Sequence, residues 1–397
     1  MQAALAALGN GALTEASIAH HVAPLFSRAL ARNRSRIYLA NHSLGRPLDA
    51  LADDVAEAVG AWFARLPDAW DAWSDELAAH RARLSTLLGA SREDCVVPKT
   101  SAGAGLRAVL NTFDHRAHVV STRGEFDSLD VILREYAHRG RIAVTLVEPD
   151  ANERYDEQAI ERAIVAGTDL VVVSHAMFRT AQLLDPRGIV ARAHDVGALV
   201  LLDVYHSLGV VPLDITAIDA DFAVGGSYKY LRGGPGACFL YVAERHLEAR
   251  MPTLDIGWFA KDAPFTYGRP DPPRFAAGGD AWMESTPPIV TWYQARSGQQ
   301  FTLGVGVERL RAHSLAQQAM LVERLAAHGI EAVGARADRG AFVVVRRADA
   351  VALAQSLHQR GIDVDARGEW LRLCPDVLTS AEEIDRAADT LGALARK

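Results

Sequence analysis

The stretch GGSYKYLRGGPGACF, residues 225–239, sets one lysine, Lys229, among glycines that allow the backbone a close approach. A turn needs one or two such glycines, so the surplus calls for another reason. One strand earlier the apolar run ALVLLD (198–203) ends on Asp203. Alone, a carboxylate closing a buried strand reads as a cap or half of an ion pair, and a loop lysine as a solvated cation. At the carboxyl ends of successive strands, where open α/β sheets place ligands, the two together suit one kind of chemistry. A lysine amine captures a cofactor aldehyde as a Schiff base, and a carboxylate keeps a pyridine nitrogen protonated so that the ring accepts electrons. Pyridoxal 5'-phosphate (PLP) makes that demand. Burial near a second positive charge favours the neutral, nucleophilic amine.

The cofactor's phosphate needs an anion site. PKTSAGAGLRAVLNTF (98–113) passes through small and hydroxyl residues into an amphipathic helix. Thr100, Ser101 and the backbone N–H groups of the helix start form such a site, although the same residues serve a plain N-cap equally well.

A sheet must hold these groups. HVVS (118–121), AVTLV (143–147), DLVVVS (169–174), ALVLLD (198–203), DFAVG (221–225) and ACFLYV (237–242) are near-continuous apolar runs of strand length. Amphipathic segments such as SLDVILREYAHRG and DEQAIERAIVAG lie between several of them. That alternation predicts an α/β fold, its parallel strands covered by helices on both faces. The chain's end predicts a smaller α/β unit: a helix over roughly 304–328, a strand at 341–347, a helix near 349–361, a strand at 370–374, and a last helix opening at Ser380 in the capping-box form SAEE. The Pro/Gly-rich segment 262–279 is the candidate linker or loop.

Composition narrows the field. The 397 residues carry 42 basic and 49 acidic side chains, a net charge of −7, which gives no basic surface for nucleic acid or anionic membrane. Cys95, Cys238 and Cys374 are far apart and lack zinc-ligand spacing, which argues against a metal site and for a reducing cytoplasm. The apolar stretch around Asp203 and His206 is interrupted by those polar residues, so no membrane span is expected.

The string DVYHSLGVVPLDITAIDADFAVGGSYKYLRGGPG (203–236) resembles the PLP-lysine region of kynureninases, in the class V aminotransferase superfamily of fold type I. YLANHSLGRPL (38–48), GWF (257–259), STPPI (285–289) and WLRLCP (370–375) resemble further elements of that family, so the similarity spans most of the chain. The resemblance implies a large PLP-binding domain over 50–275, with a mostly parallel seven-stranded sheet. It also implies a small domain built from 1–49 and 276–397. Lys229 would carry the cofactor and Asp203 bind the pyridinium nitrogen, with His206 beside it. Tyr228, Thr100 and Ser101 would hold phosphate, Phe126 would stack on the ring, and Ser174 would end its strand near it. Arg372 would grip the substrate α-carboxylate, with Ser43 and Arg179 also on the substrate side. Trp258 and Thr286 would reach the phosphate from a neighbouring subunit, implying a homodimer. Without the resemblance, Phe126 reads as core, Trp258 as loop packing and His206 as a buried histidine.

Three departures stand out. Thr286 replaces the family's asparagine. Phe126 is followed by DSLD instead of Pro-x-Asp, which displaces the acidic residue. FRTAQ (178–182) puts Arg179 where the family has tyrosine. The expected activity is that of a PLP enzyme acting on an α-amino acid through an external aldimine, most like kynureninase. A class V aminotransferase is the alternative; a cysteine desulfurase or a silent PLP-binding module fits less well.

Overall fold

The computed structural model describes residues 1–396. Seven strands form the main sheet: β1 (Val96–Lys99), β2 (Ala117–Thr122), β3 (Ile142–Val147), β4 (Leu170–Ser174), β5 (Leu199–Asp203), β6 (Phe222–Gly226) and β7 (Cys238–Val242). Their order is β1-β7-β6-β5-β4-β2-β3. Strands β2 to β6 run parallel, and β7 is antiparallel to both β6 and β1. Strands β4, β6 and β7 are buried along their whole length, as an apolar run without alternation requires when helices cover both faces. The sequence reading missed β1, because Pro98 interrupts its short run. Proline is tolerated there because β1 is an edge strand.

Helices α1 (Leu51–Arg65) and α2 (Ala69–Leu88) precede the sheet, and α3 (Ala102–Leu110) and α4 (Asp127–His138) follow its first strands. The long helix expected over 304–328 is present as α6 (Val307–Ala327), and a further helix that the sequence pattern did not reveal, α5 (Ile289–Val305), precedes it. They break at Gly306, whose φ of 91° a helix cannot accommodate. Helix α5 packs against α1 and α2.

A second sheet joins β8 (Val343–Arg346), β9 (Asp365–Arg367) and β10 (Trp370–Leu373) in the antiparallel order β9-β10-β8. Helices α6, α7 (Ala350–Gln359) and α8 (Ala381–Ala395) cover it around a core that includes Leu321, Leu357, Leu371 and Ile384. The Ser380 hydroxyl and the Glu383 carboxylate form the capping box that their spacing predicts. A smaller cluster, with Tyr230, Phe342 and Trp370, ties the glycine-rich segment to this sheet. Segment 262–279 is irregular, with Phe265 packed on Trp70 at 5.5 Å. Among the described residues no helix is long and apolar enough to cross a membrane.

Candidate active site

Strand β5 delivers Asp203 at its carboxyl end, in register with Ser174 of β4, and β6 ends in the glycines that lead to Lys229. A cavity of about 160 Å³ opens there, lined by Thr100, Ser101, Phe126, Asp203, His206 and Lys229 among others. Tyr228 lines it too. Seven of the predicted residues therefore share one cavity, although they come from four separate stretches of chain.

Lys229 is buried, its Nζ 2.6 Å from His206 Nε2 and 5.5 Å from the Phe126 ring centre. Burial lowers its pKa from the ordinary lysine value, and the Asp203 charge opposes that only in part. Burial acts on Asp203 in the other direction and raises it, against the Tyr205 N–H that donates to Oδ1 at 2.8 Å. His206 is held well below its ordinary value by burial and then by Lys229. Its neutral ring thus accepts from the ammonium or donates to the free amine. The Nδ1 of His206 is buried without a partner. Burial, and then the Asp203 charge, push the Tyr228 hydroxyl up to about 12.

Ser101 caps α3, its hydroxyl accepting from the Ala104 N–H at 3.1 Å, and Thr100 beside it is exposed at the mouth. The short, small-residue helix start leaves its first N–H groups available to an anion.

Other predicted residues lie elsewhere. The Ser174 hydroxyl does not line the cavity; it donates to Glu125 Oε2 at 2.6 Å. Ser43 Oγ donates to Asp365 Oδ2 at 2.6 Å. Arg372 is buried and bonded to Asp365 through Nε (2.6 Å) and Nη2 (2.5 Å), while Nη1 donates to the Phe178 carbonyl. Arg179 is half exposed, in an ion pair with Glu153 at 3.6 Å, and does not line the cavity. Trp258 Nε1 donates to Thr286 Oγ1 at 3.0 Å on the surface, also outside this cavity. Asp130, the displaced acid after Phe126, pairs with Arg134 on α4.

Three residues escaped the sequence reading. Glu125 is buried behind Ser174 and Thr122, and burial raises its carboxyl to about 7 against their hydrogen bonds. Its only signal was adjacency to Phe126. His42 Nε2 donates to the ionised Asp365 Oδ1 at 3.0 Å, and its ring stacks on Phe342 at 4.8 Å. Asp365 itself pairs with Arg372 directly across the β9–β10 register, a position visible only once the hairpin is recognised.

The donor set fits PLP: a buried amine of lowered pKa, a carboxylate in the same cavity, an aromatic face, and a helix start flanked by the hydroxyls of Thr100 and Ser101. Fold and site together define a PLP-dependent enzyme of fold type I. More narrowly, the chain belongs to the aminotransferase class-V family, which matches residues 60–374. It is similar to the kynureninase of Pseudomonas fluorescens, with 30% identity over 83% of this chain and 82% of that protein. The kynureninase of Burkholderia mallei (strain SAVP1) is likewise 30% identical, over 83% of this chain and 82% of its own. Among solved structures, a C-DES mutant with glycine covalently linked to its PLP cofactor superposes with a TM-score of 0.82 at 20% identity, covering 93% of this chain and 98% of that one. A cysteine desulfurase from Thermococcus onnurineus NA1 gives 0.77 at 17% identity, covering 93% and 98%. These two likenesses speak to the fold.

Proposed function

We propose that this chain cleaves the Cβ–Cγ bond of kynurenine-type amino acids by hydrolysis, releasing alanine and an aromatic acid. The observation that carries the reading is the buried Lys229 amine, 2.6 Å from a neutral His206 and sharing its cavity with Asp203, in a chain similar to kynureninases over most of its length.

When bound, PLP supplies the electron sink for charge that develops at the substrate's α-carbon. Lys229 Nζ would hold the cofactor, and as a free amine it would take the substrate's Cα proton. Its lowered pKa leaves the free amine ready for that step. Asp203, its carboxylate oriented by the Tyr205 N–H, would hold the proton of the ring nitrogen. Thr100, Ser101, Tyr228 and the first N–H groups of α3 bind the phosphate, and Phe126 covers one ring face. His206 orients the Lys229 amine. Ser174 acts through Glu125. Arg372 binds the α-carboxylate with Ser43 nearby, and Arg179 reaches substrate only by leaving Glu153. Trp258 and Thr286 serve the phosphate of a second copy's site, which makes the enzyme a homodimer. Three buried, unpaired cysteines support a cytoplasmic setting.

The test is turnover of kynurenine by the PLP-loaded protein without any 2-oxo acid. Alanine and anthranilate are expected. If the pyridoxamine form of the cofactor accumulates instead, transamination replaces hydrolysis. If the protein stays colourless with PLP, or borohydride marks a side chain other than Lys229, the PLP reading itself falls.

A further inference from the structure

A second cavity, of about 360 Å³, lies between the chain at 152–154, the segment 331–339 and the sheet of β8 and β10. Four of its lining residues are arginines: Arg154, Arg336, Arg339 and Arg346. Its volume falls at the lower end of the range that small-molecule sites occupy.

The arginines are unequally neutralised. Arg336 and Arg154 share Asp338, at 2.9 and 3.5 Å, and Arg346 pairs with Glu369 at 3.2 Å. Glu331 is the one acid in the lining itself. Arg339 is different. It is only 6% exposed, yet among the described residues no carboxylate lies within 4.0 Å of it. Its Nη1 donates to the Thr180 carbonyl at 2.9 Å, while its Nε is buried with no acceptor. The Trp370 Nε1, from another lining residue, is also buried without a partner. A buried guanidinium without a carboxylate in contact is costly: burial and then the Arg154 charge lower its pKa, and the Asp338 charge, already shared with Arg336 and Arg154, opposes that only in part. An anion placed in the cavity removes that cost.

We propose that this cavity is a binding site for a small oxyanion, a phosphate or a carboxylate, with Arg339 as its buried counter-ion and Arg336 and Arg346 at its mouth. Val333, Val344 and the Trp370 indole give the walls an apolar portion, so the natural ligand carries an organic part. The site is separate from the PLP cavity and its existence does not depend on the reaction proposed above. It is mechanically close to the substrate side, however: Arg339 donates to Thr180 O and Arg372 to Phe178 O, two carbonyls of one short segment.

The experiment is calorimetric titration of inorganic phosphate into protein already saturated with PLP, at constant ionic strength set with chloride. Prior loading fills the cofactor's own phosphate site. Wild type is expected to bind phosphate saturably, and the exposed-residue variant R336Q/R346Q to bind at least tenfold more weakly. Arg339→Gln should abolish binding if it folds; if it does not, the double variant decides. The control R123Q/R187Q, which removes two exposed arginines elsewhere, should leave the affinity unchanged. No saturable heat with wild type, equal affinity in R336Q/R346Q, or an equal loss in the control overturns the site. None of these outcomes bears on whether Lys229 holds PLP.

Discussion

Asp365 and Arg372 face each other across the β9–β10 hairpin, and the carboxylate fills the side-on fork of the guanidinium through Nε and Nη2. Arg372 therefore does not wait for substrate as a free cation. Burial works to raise the Asp365 carboxyl, but the hydrogen bonds and charges of His42 and Arg372 hold it far below the usual carboxylate range. The pair is thus permanently charged. With Nη1 also tied to Phe178 O, the guanidinium plane is fixed.

Asp365→Asn tests whether that pairing positions Arg372 or competes with substrate. A charge-assisted hydrogen bond of this type contributes about 1.5–3 kcal/mol, so the expected KM rise for an amino acid is roughly ten- to a hundredfold. PLP affinity should not change, because Asp365 touches Arg372, His42 and Ser43 and does not line the cofactor cavity. A lowered KM would mean that Asp365 blocks the arginine.

Glu125 gives a prediction about pH. Its carboxyl titrates near 7 in the fold and near 4.5 when unfolded, so across that window the folded chain binds more protons than the unfolded one. Stability from this group is present below about 4.5 and is lost as pH rises to 7. Glu125→Gln keeps an acceptor for Thr122 and Ser174 and removes the charge. At pH 8 the variant should be more stable than wild type by on the order of 2 kcal/mol, and at pH 4 the two should be close. Denaturant titrations at both values check it; parallel curves at the two pH values would falsify the assignment of a raised carboxyl.

How much of this was legible in the sequence follows from how local each signal is. Lys229 and Asp203 announce themselves by position at the ends of two adjacent strands, because a parallel sheet delivers its carboxyl ends to one rim; His206 was singled out only by the family resemblance. The seven-strand sheet was largely legible for the same reason, since buried strands carry unbroken apolar runs. Strand β1 was not, because a proline masks a four-residue run, and neither was helix α5, whose buried face includes Ser297, Gln299 and Thr302 and so carries no clean apolar stripe. Asp365, His42 and Glu125 were invisible for another reason. Each matters through a partner distant in sequence or through burial, neither of which has a local pattern. Ser174 shows the converse: its place at a strand end was read correctly, but its hydroxyl is already used by Glu125.

The glycines after Lys229 make a backbone prediction. Gly234 has φ of +67°, and a Cβ there would sit 2.3 Å from Gln294 Nε2, which donates to the carbonyls of Gly233 and Pro235. Gly234→Val forces a β-branched residue into a left-handed conformation at a cost of about 1–2 kcal/mol, and also displaces that amide. Pro235 and Gly236 line the cofactor cavity, so the expected result is lower PLP occupancy, read from visible absorbance per subunit, together with a lower Tm. Unchanged occupancy would mean that this loop does not shape the site.

Trp258 and Thr286 supply a test of shared active sites. They bond to each other outside the chain's own cavity, on a surface where Phe265 and Tyr267 are exposed and pack around Trp258 at 5.4 and 6.3 Å. An aromatic surface of this kind is suited to burial against a second copy. If Trp258 completes the neighbour's site, Lys229→Ala and Trp258→Ala subunits are each inactive alone but complementary in a mixed dimer. One site of the hybrid then holds both defects and the other holds neither. Random reassortment of equal amounts makes half of the dimers hybrid, so activity should return to about a quarter of wild type. Mixing without recovery, after exchange of subunits has been verified by mass, would place Trp258 in its own subunit's structure and remove it from the site.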